Sequence, residues 1–179
     1  EVPKDSEFLD EHNFYRQRLR EGTDPEGYHV PGLADLIWDR ELAAECRRWA
    51  ETCVYQYAQN INAEENLAST TNVIGDPVQL WYAYRNKTGH YRKMVSPTAV
   101  YLGCHMTRCA VLQLVQAGVN QTNAYYTVCR YSTVSFSYRY KRHQNHRANS
   151  KPNEMEIEMQ NFLQKLCYGI NTAFRALNS

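Results

Sequence analysis

No apolar run in these 179 residues approaches the roughly 20 that a helix needs to cross a bilayer, so a membrane-spanning protein is not expected. Neither charge sign is in excess: 20 Lys and Arg stand against 19 Asp and Glu, for a formal net charge of +1. A chain so balanced has no global field to steer it onto nucleic acid, and no nucleic-acid partner is expected. It also lacks G-x-S-x-G, H-E-x-x-H, a P-loop and a dinucleotide fingerprint. The familiar motifs for serine hydrolysis, zinc proteolysis and nucleotide binding are therefore missing. There is no internal repeat, no low-complexity tract and no boundary that demands a second domain. The length suits one domain with a full core. The first residues, EVPKDSEF, include no methionine, which predicts a mature product freed of a signal peptide.

Cysteine, by contrast, is well supplied: Cys46, Cys53, Cys104, Cys109, Cys129 and Cys167, an even six. Two sequons, Asn86-Lys87-Thr88 and Asn120-Gln121-Thr122, make Asn86 and Asn120 glycosylation candidates. Together these predict a secreted, extracellular glycoprotein with three disulfides, whose connectivity counting alone leaves open. Charge is uneven locally. Residues 138–151 carry Arg139, Lys141, Arg142, Arg147 and Lys151 with no acidic residue. This basic arm reads as a solvated loop, or as a contact to anionic lipid or a host protein.

The spacing predicts a helix over residues 6–21, capped by Ser6 and ended by Gly22, with Phe8, His12, Tyr15 and Leu19 on one face. A loop follows at 23–37. A second helix begins near a capping Asp39, with Leu42, Cys46, Trp49 and Cys53 all facing inward. A third starts at Pro77, with Val78, Trp81 and Tyr82 as its apolar side. Strands are predicted at 98–105, 110–115 and 124–131, with a fourth at 133–140. QAGVNQTN would join the second and third of these as a hairpin loop. A last helix follows Pro152, interrupted near Gly169. Helices first and strands later point to an α+β domain around a small antiparallel sheet.

Cys104 and Cys109, with His90 and His105 nearby, offer zinc ligands on paper. An oxidising setting argues against this, and equally against a free cysteine nucleophile. His143 and His146 are three apart but in a predicted loop, where solvated side chains are the default.

The stretches EFLDEHNFYRQRL, WDRELAAECRRWAETC, AEENLA, GHYRKMV, YLGCHMTRC and YTVCRY follow one another in that order. The series resembles the CAP superfamily, also called SCP/TAPS, over residues 6–131, and is similar in cast to its helminth venom allergen-like branch. The resemblance implies a three-layer α-β-α sandwich with a small central antiparallel sheet and a central cleft. Residues 1–151 would form the CAP/SCP domain and 152–179 a C-terminal helical extension packed on it. It also implies the pairings Cys53–Cys109 and Cys104–Cys129. Cys46 and Cys167 are then left to each other, a Cys46–Cys167 bridge pinning the last helix to the second.

The family's cleft usually presents two histidines and two glutamates. By resemblance one glutamate falls on Glu65 and one histidine on His90, while the other two positions hold Tyr57 and Tyr84. The stretch between Trp81 and His90 is shorter than the family norm, which leaves the Tyr84 register open. Phenols are neutral at pH 7 and poor ligands or bases, and a catalytic zinc normally takes three protein ligands. Only His90 and Glu65 remain as a weak metal pair. No cofactor, metal or catalytic residue is expected, and the tyrosines should hydrogen-bond to Glu65 or His90.

The resulting expectation is a secreted, non-enzymatic lipid carrier for a fatty acid or sterol. Its walls would be Phe8, Tyr15 and Leu19 on the first helix with Val78 and Tyr82 on the third, all of which a plain core would also contain. The aromatic loop linked to sterol binding in relatives is reduced here to RNKT, which favours a fatty acid. The alternative is an immunomodulatory ligand that meets a host receptor through the arm at 138–151. A metal-dependent hydrolase ranks last.

Overall fold

The computed structural model describes residues 2–85 and 89–136. The basic arm, the last helix, His143, His146, Asn86 and Cys167 lie outside the described residues. In chain order the elements are α1 (Asp5–Glu21), β1 (Ile37–Trp38), α2 (Arg40–Ala50), β2 (Val54–Tyr55), β3 (Glu64–Thr71), α3 (Pro77–Ala83), α4 (His90–Met94), β4 (Tyr101–Leu114) and β5 (Val119–Ser132).

α1 begins one residue before the expected cap at Ser6, because Glu7 reaches back to accept from the Lys4 backbone N–H at 2.8 Å. It ends as predicted at Gly22, whose φ of 68° is the left-handed conformation that costs glycine least. Asp39 caps α2, its Oδ1 accepting from the N–H groups of Glu41 and Leu42. α2 stops at Ala50, so Cys53 lies beyond it in a turn with φ 53° rather than on its inner face. Asp76 caps α3 and Pro77 opens it.

The sheet departs from the expectation in three ways. β4 and β5 are two continuous 14-residue strands forming one hairpin, where three shorter strands were predicted. β3 pairs antiparallel with β5 along its whole length. On the other side of β4, the two-residue strands β1 and β2 pair parallel with its two ends, at Tyr101–Leu102 and Gln113–Leu114. The sheet is thus mixed, in the order β1-β4-β5-β3, rather than antiparallel. Residues 133–136 form no strand; there Ser135 Oγ and the Phe136 N–H donate to Asp39 Oδ2.

Each face of the sheet carries its own apolar cluster. Cys46 and Ala50 of α2 pack with Leu67, Leu112, Tyr126 and Val128. Phe8, Leu19, Val78, Trp81 and Met94 of the other helices pack with Leu102, Met106 and Tyr131. Burial on both faces is what removes the alternation a sequence reader looks for. α2 sits so close to β4 that a Cβ at Gly103 would come within 2.3 Å of the Ala43 nitrogen.

Two disulfides form as the resemblance implied, Cys53–Cys109 and Cys104–Cys129. Cys46 is fully buried, and among the described residues it is a free thiol that donates to the Gly103 carbonyl at 3.1 Å. The expected Cys46–Cys167 bridge rests on Cys167, which lies outside the described residues.

Candidate functional site

Tyr57 follows β2, Glu65 lies in β3, Tyr84 is the C-cap of α3 and His90 is the first residue of α4. The fold brings Tyr57 and His90 together, the phenol oxygen 3.1 Å from His90 Nε2. Glu65 turns elsewhere. One of its oxygens accepts from the Ala58 N–H at 2.9 Å and the other from Arg130 Nε at 2.7 Å. The Arg130 guanidinium also meets Glu45 of α2 at 3.4 Å. Glu65 and Arg130 face each other in the β3–β5 register, and both side chains are almost wholly buried. Tyr84 is exposed.

Beneath this mouth runs a buried chain of hydrogen bonds. Asn66 Nδ2 donates to the His90 carbonyl and to the Tyr131 hydroxyl. Tyr131 in turn lies 2.9 Å from His12 Nε2, while His12 Nδ1 lies 2.7 Å from the Phe8 carbonyl. A carbonyl can only accept, so His12 carries its proton on Nδ1 and Nε2 accepts a hydrogen bond from the Tyr131 hydroxyl. Burial brings His12 down to about 4, which keeps it neutral and this wiring intact. Burial, and then the neighbouring Lys93, also lower His90, which favours a neutral imidazole.

The donors do not fit a metal. His90 Nε2 is engaged by a phenol and the Glu65 carboxylate by a guanidinium and an amide. His12 lies close to the sulfurs of Cys104 and Cys129, but those are bonded to each other and cannot ligate. The paper zinc set fails likewise, since Cys104 and Cys109 both sit in disulfides. A Glu65–His90 acid–base pair is not formed, and no catalytic step follows from this geometry.

The five wall residues, Phe8, Tyr15, Leu19, Val78 and Tyr82, come together as core. Tyr15 and Tyr82 stack with centroids 4.1 Å apart, filling the space between α1 and α3. Tyr82 hydrogen-bonds to Asp24, which also pairs with Arg85 at 3.0 Å. Arg85 lies over the rings of Tyr28, Tyr82 and Tyr91.

Sequence reasoning missed a shallow, open groove beside the start of α3. Ala68, Pro77, Leu80, Met106 and Tyr125 give it an apolar lining. Leu80 is largely exposed, as are Val73 and Ile74 in the loop just before α3. The signal available was the apolar pair Val73-Ile74 inside a turn-like stretch.

Asp76, which also lines this groove, faces Glu11 of α1. Burial, a hydrogen bond to Asp76 and that residue's charge raise Glu11 from 4.5 to about 8. A carboxyl whose folded pKa is raised stabilises the fold most at low pH, and loses that contribution as pH rises through the folded value. The Glu11 contribution to stability should therefore fall between about pH 5 and 8, and the difference in melting temperature between wild type and Glu11→Gln should shrink or reverse across that window.

The helix–sheet–helix domain thus joins Tyr57 to His90 at the mouth of its cleft and turns Glu65 away to Arg130. Residues 9–131 match the family model of the cysteine-rich secretory protein family, CAP, and the chain belongs to that family. Venom allergen 5 of Vespa magnifica is 27% identical over 153 residues, covering 70% of this chain and 64% of that protein. Protein lon-1 of Caenorhabditis elegans is 30% identical over 136 residues, covering 68% of this chain and 40% of that protein. The chain thus spans less than two thirds of these relatives' length. Among solved structures, Schistosoma mansoni venom allergen-like protein 4 has a TM-score of 0.58 at 20% identity, over 72% of this chain and 86% of that one. A hookworm platelet inhibitor has a TM-score of 0.53 at 19% identity, over 75% of this chain and 73% of that one. Both share the fold.

Proposed function

We propose that this CAP protein works outside the cell as a non-enzymatic carrier of an acyl chain, held in the groove beside α3. Its disulfides suit an oxidising compartment. The observation that carries the ligand class is the groove's apolar lining beside the exposed Val73, Ile74 and Leu80. The groove is shallow and open, far smaller than the roughly 300–1,000 Å³ pockets that enclose drug-sized ligands. Such a surface suits a length of flexible hydrocarbon laid along it better than the fused rings of a sterol. Each buried methylene would contribute about 0.8 kcal/mol. The exposed side chains of Val73, Ile74 and Leu80 would extend the contact beyond the groove.

The test is displacement of a fluorescent fatty acid from the full, oxidised chain. Saturable binding is expected, with Leu80→Glu weakening it about tenfold, while a labelled sterol shows no saturation. Equal affinity in Leu80→Glu would remove the groove from consideration, and no fatty-acid binding at all would remove the reading.

A further inference from the structure

We propose that Tyr57, His90 and Lys93 form an anion site for a carboxylate or phosphate group, where the family resemblance leads one to look for a metal. Three observations converge. Lys93 is half-buried, and its ammonium lies 4.9 Å from the centroid of the Tyr57 ring. That ammonium donates one hydrogen bond, to the Glu65 carbonyl at 2.8 Å. Among the described residues it makes no ion pair: Glu65 is taken up by Arg130, and Glu64 acts on Lys93 only through space. An ammonium carries three donors, so a partly desolvated cation is left with unfilled capacity at the mouth of the cleft.

The second observation is the phenol. Tyr57 is exposed, and its oxygen already has the imidazole of His90 at 3.1 Å. With the His90 proton on Nε2, the imidazole donates to the phenol oxygen, and the Tyr57 O–H is free to donate outward. The third is the fate of the carboxylates. Glu65 would repel an anion if it faced the mouth, but its two oxygens are directed to Ala58 and Arg130. With Glu65 turned inward and Tyr57 beside His90, the mouth presents an ammonium and a phenol where a metal would need carboxylate and imidazole ligands. Charge-assisted bonds from an ammonium and a phenol are the usual means of holding such an anion. The site makes no use of the groove beside α3, so it stands or falls independently of the acyl-chain reading.

The experiment is an NMR titration of the full, oxidised chain with sulfate, inorganic phosphate and acetate, at fixed pH, with chloride holding ionic strength constant. The ring resonances of Tyr57 and His90 should shift saturably. Lys93→Met should raise the half-saturating concentration about tenfold, and Tyr57→Phe should raise it several-fold with the ammonium still in place. Preference for acetate would assign a carboxylate ligand and preference for phosphate a phosphoryl one. No saturable shift in the wild-type protein overturns the site, as does the same half-saturation in both variants. A fatty acid that binds while all three small anions leave the rings unmoved also overturns it, and leaves the acyl-chain reading standing.

Discussion

Arg16→Met is expected to lower the unfolding free energy by about 4 kcal/mol, read from the urea midpoint of the oxidised protein. Arg16 is fully buried on α1. Its guanidinium donates to the carbonyls of Ala34 at 2.7 Å, Met94 at 2.9 Å and Ser96 at 3.1 Å, with Ala99 at 3.5 Å. The four acceptors come from the loop before β1, the last residue of α4 and the segment after it, and the bonds gather these onto one side chain. Methionine would refill much of the volume and satisfy none of them. An orphaned buried acceptor costs about 1–3 kcal/mol, and three of these bonds have good length. A domain of this size has about 5–15 kcal/mol in all, so the variant would stand close to unfolding. Arg16→Lys should recover only part of the loss, since an ammonium cannot reproduce the planar fork. An unchanged midpoint in Arg16→Met would mean that these segments are held by something else.

Glu65→Ala should cost about 3 kcal/mol, while His90→Ala should cost under about 1 kcal/mol. The contrast matters more than either value. If Glu65 were a cleft ligand, removing it would change function and spare the fold. In the structure it is the closest partner of a buried guanidinium, and deleting it leaves Arg130 with Glu45 alone, at 3.4 Å. Breaking a buried pair from one side is costly because the surviving charge has lost its compensation. His90 is half-exposed and bonded through its ring to a surface phenol, so its loss opens little. Equal melting temperatures for Glu65→Ala and the wild type would put Glu65 back into the cleft.

The starts of α2 and α3 and the end of α1 were legible because they are set by local chemistry. Asp39 and Asp76 have side-chain oxygens within reach of their own helix N–H groups, and Gly22 tolerates the left-handed turn. The Tyr57–His90 contact followed from two motif positions 33 residues apart. β3 escaped because EENLASTT buries a glutamate and an asparagine, which no strand pattern rewards. Arg16 escaped for the same reason, since a charged residue on an amphipathic helix reads as solvent-facing. The destination of Glu65 was invisible for a different reason. Arg130 lies 65 residues away, and only the β3–β5 register sets the two side by side.

The two parallel strands at the ends of β4 bear on how the protein behaves in a crowd. β4 meets β5 along one side, so its other side is an edge that a neighbouring molecule could extend by adding a strand. β1 covers that edge at Tyr101–Leu102 and β2 covers it at Gln113–Leu114. The stretch left between them, residues 103–112, is long enough for a strand, so β1 and β2 set the limits within which an invader could pair, and it could extend further only by displacing one of them. β2 cannot be displaced cheaply, because the Cys53–Cys109 bond ties the residue before it to β4 itself. Reduction would therefore do more than loosen the fold: it would uncover a template for self-association, and aggregation should follow loss of that one bond.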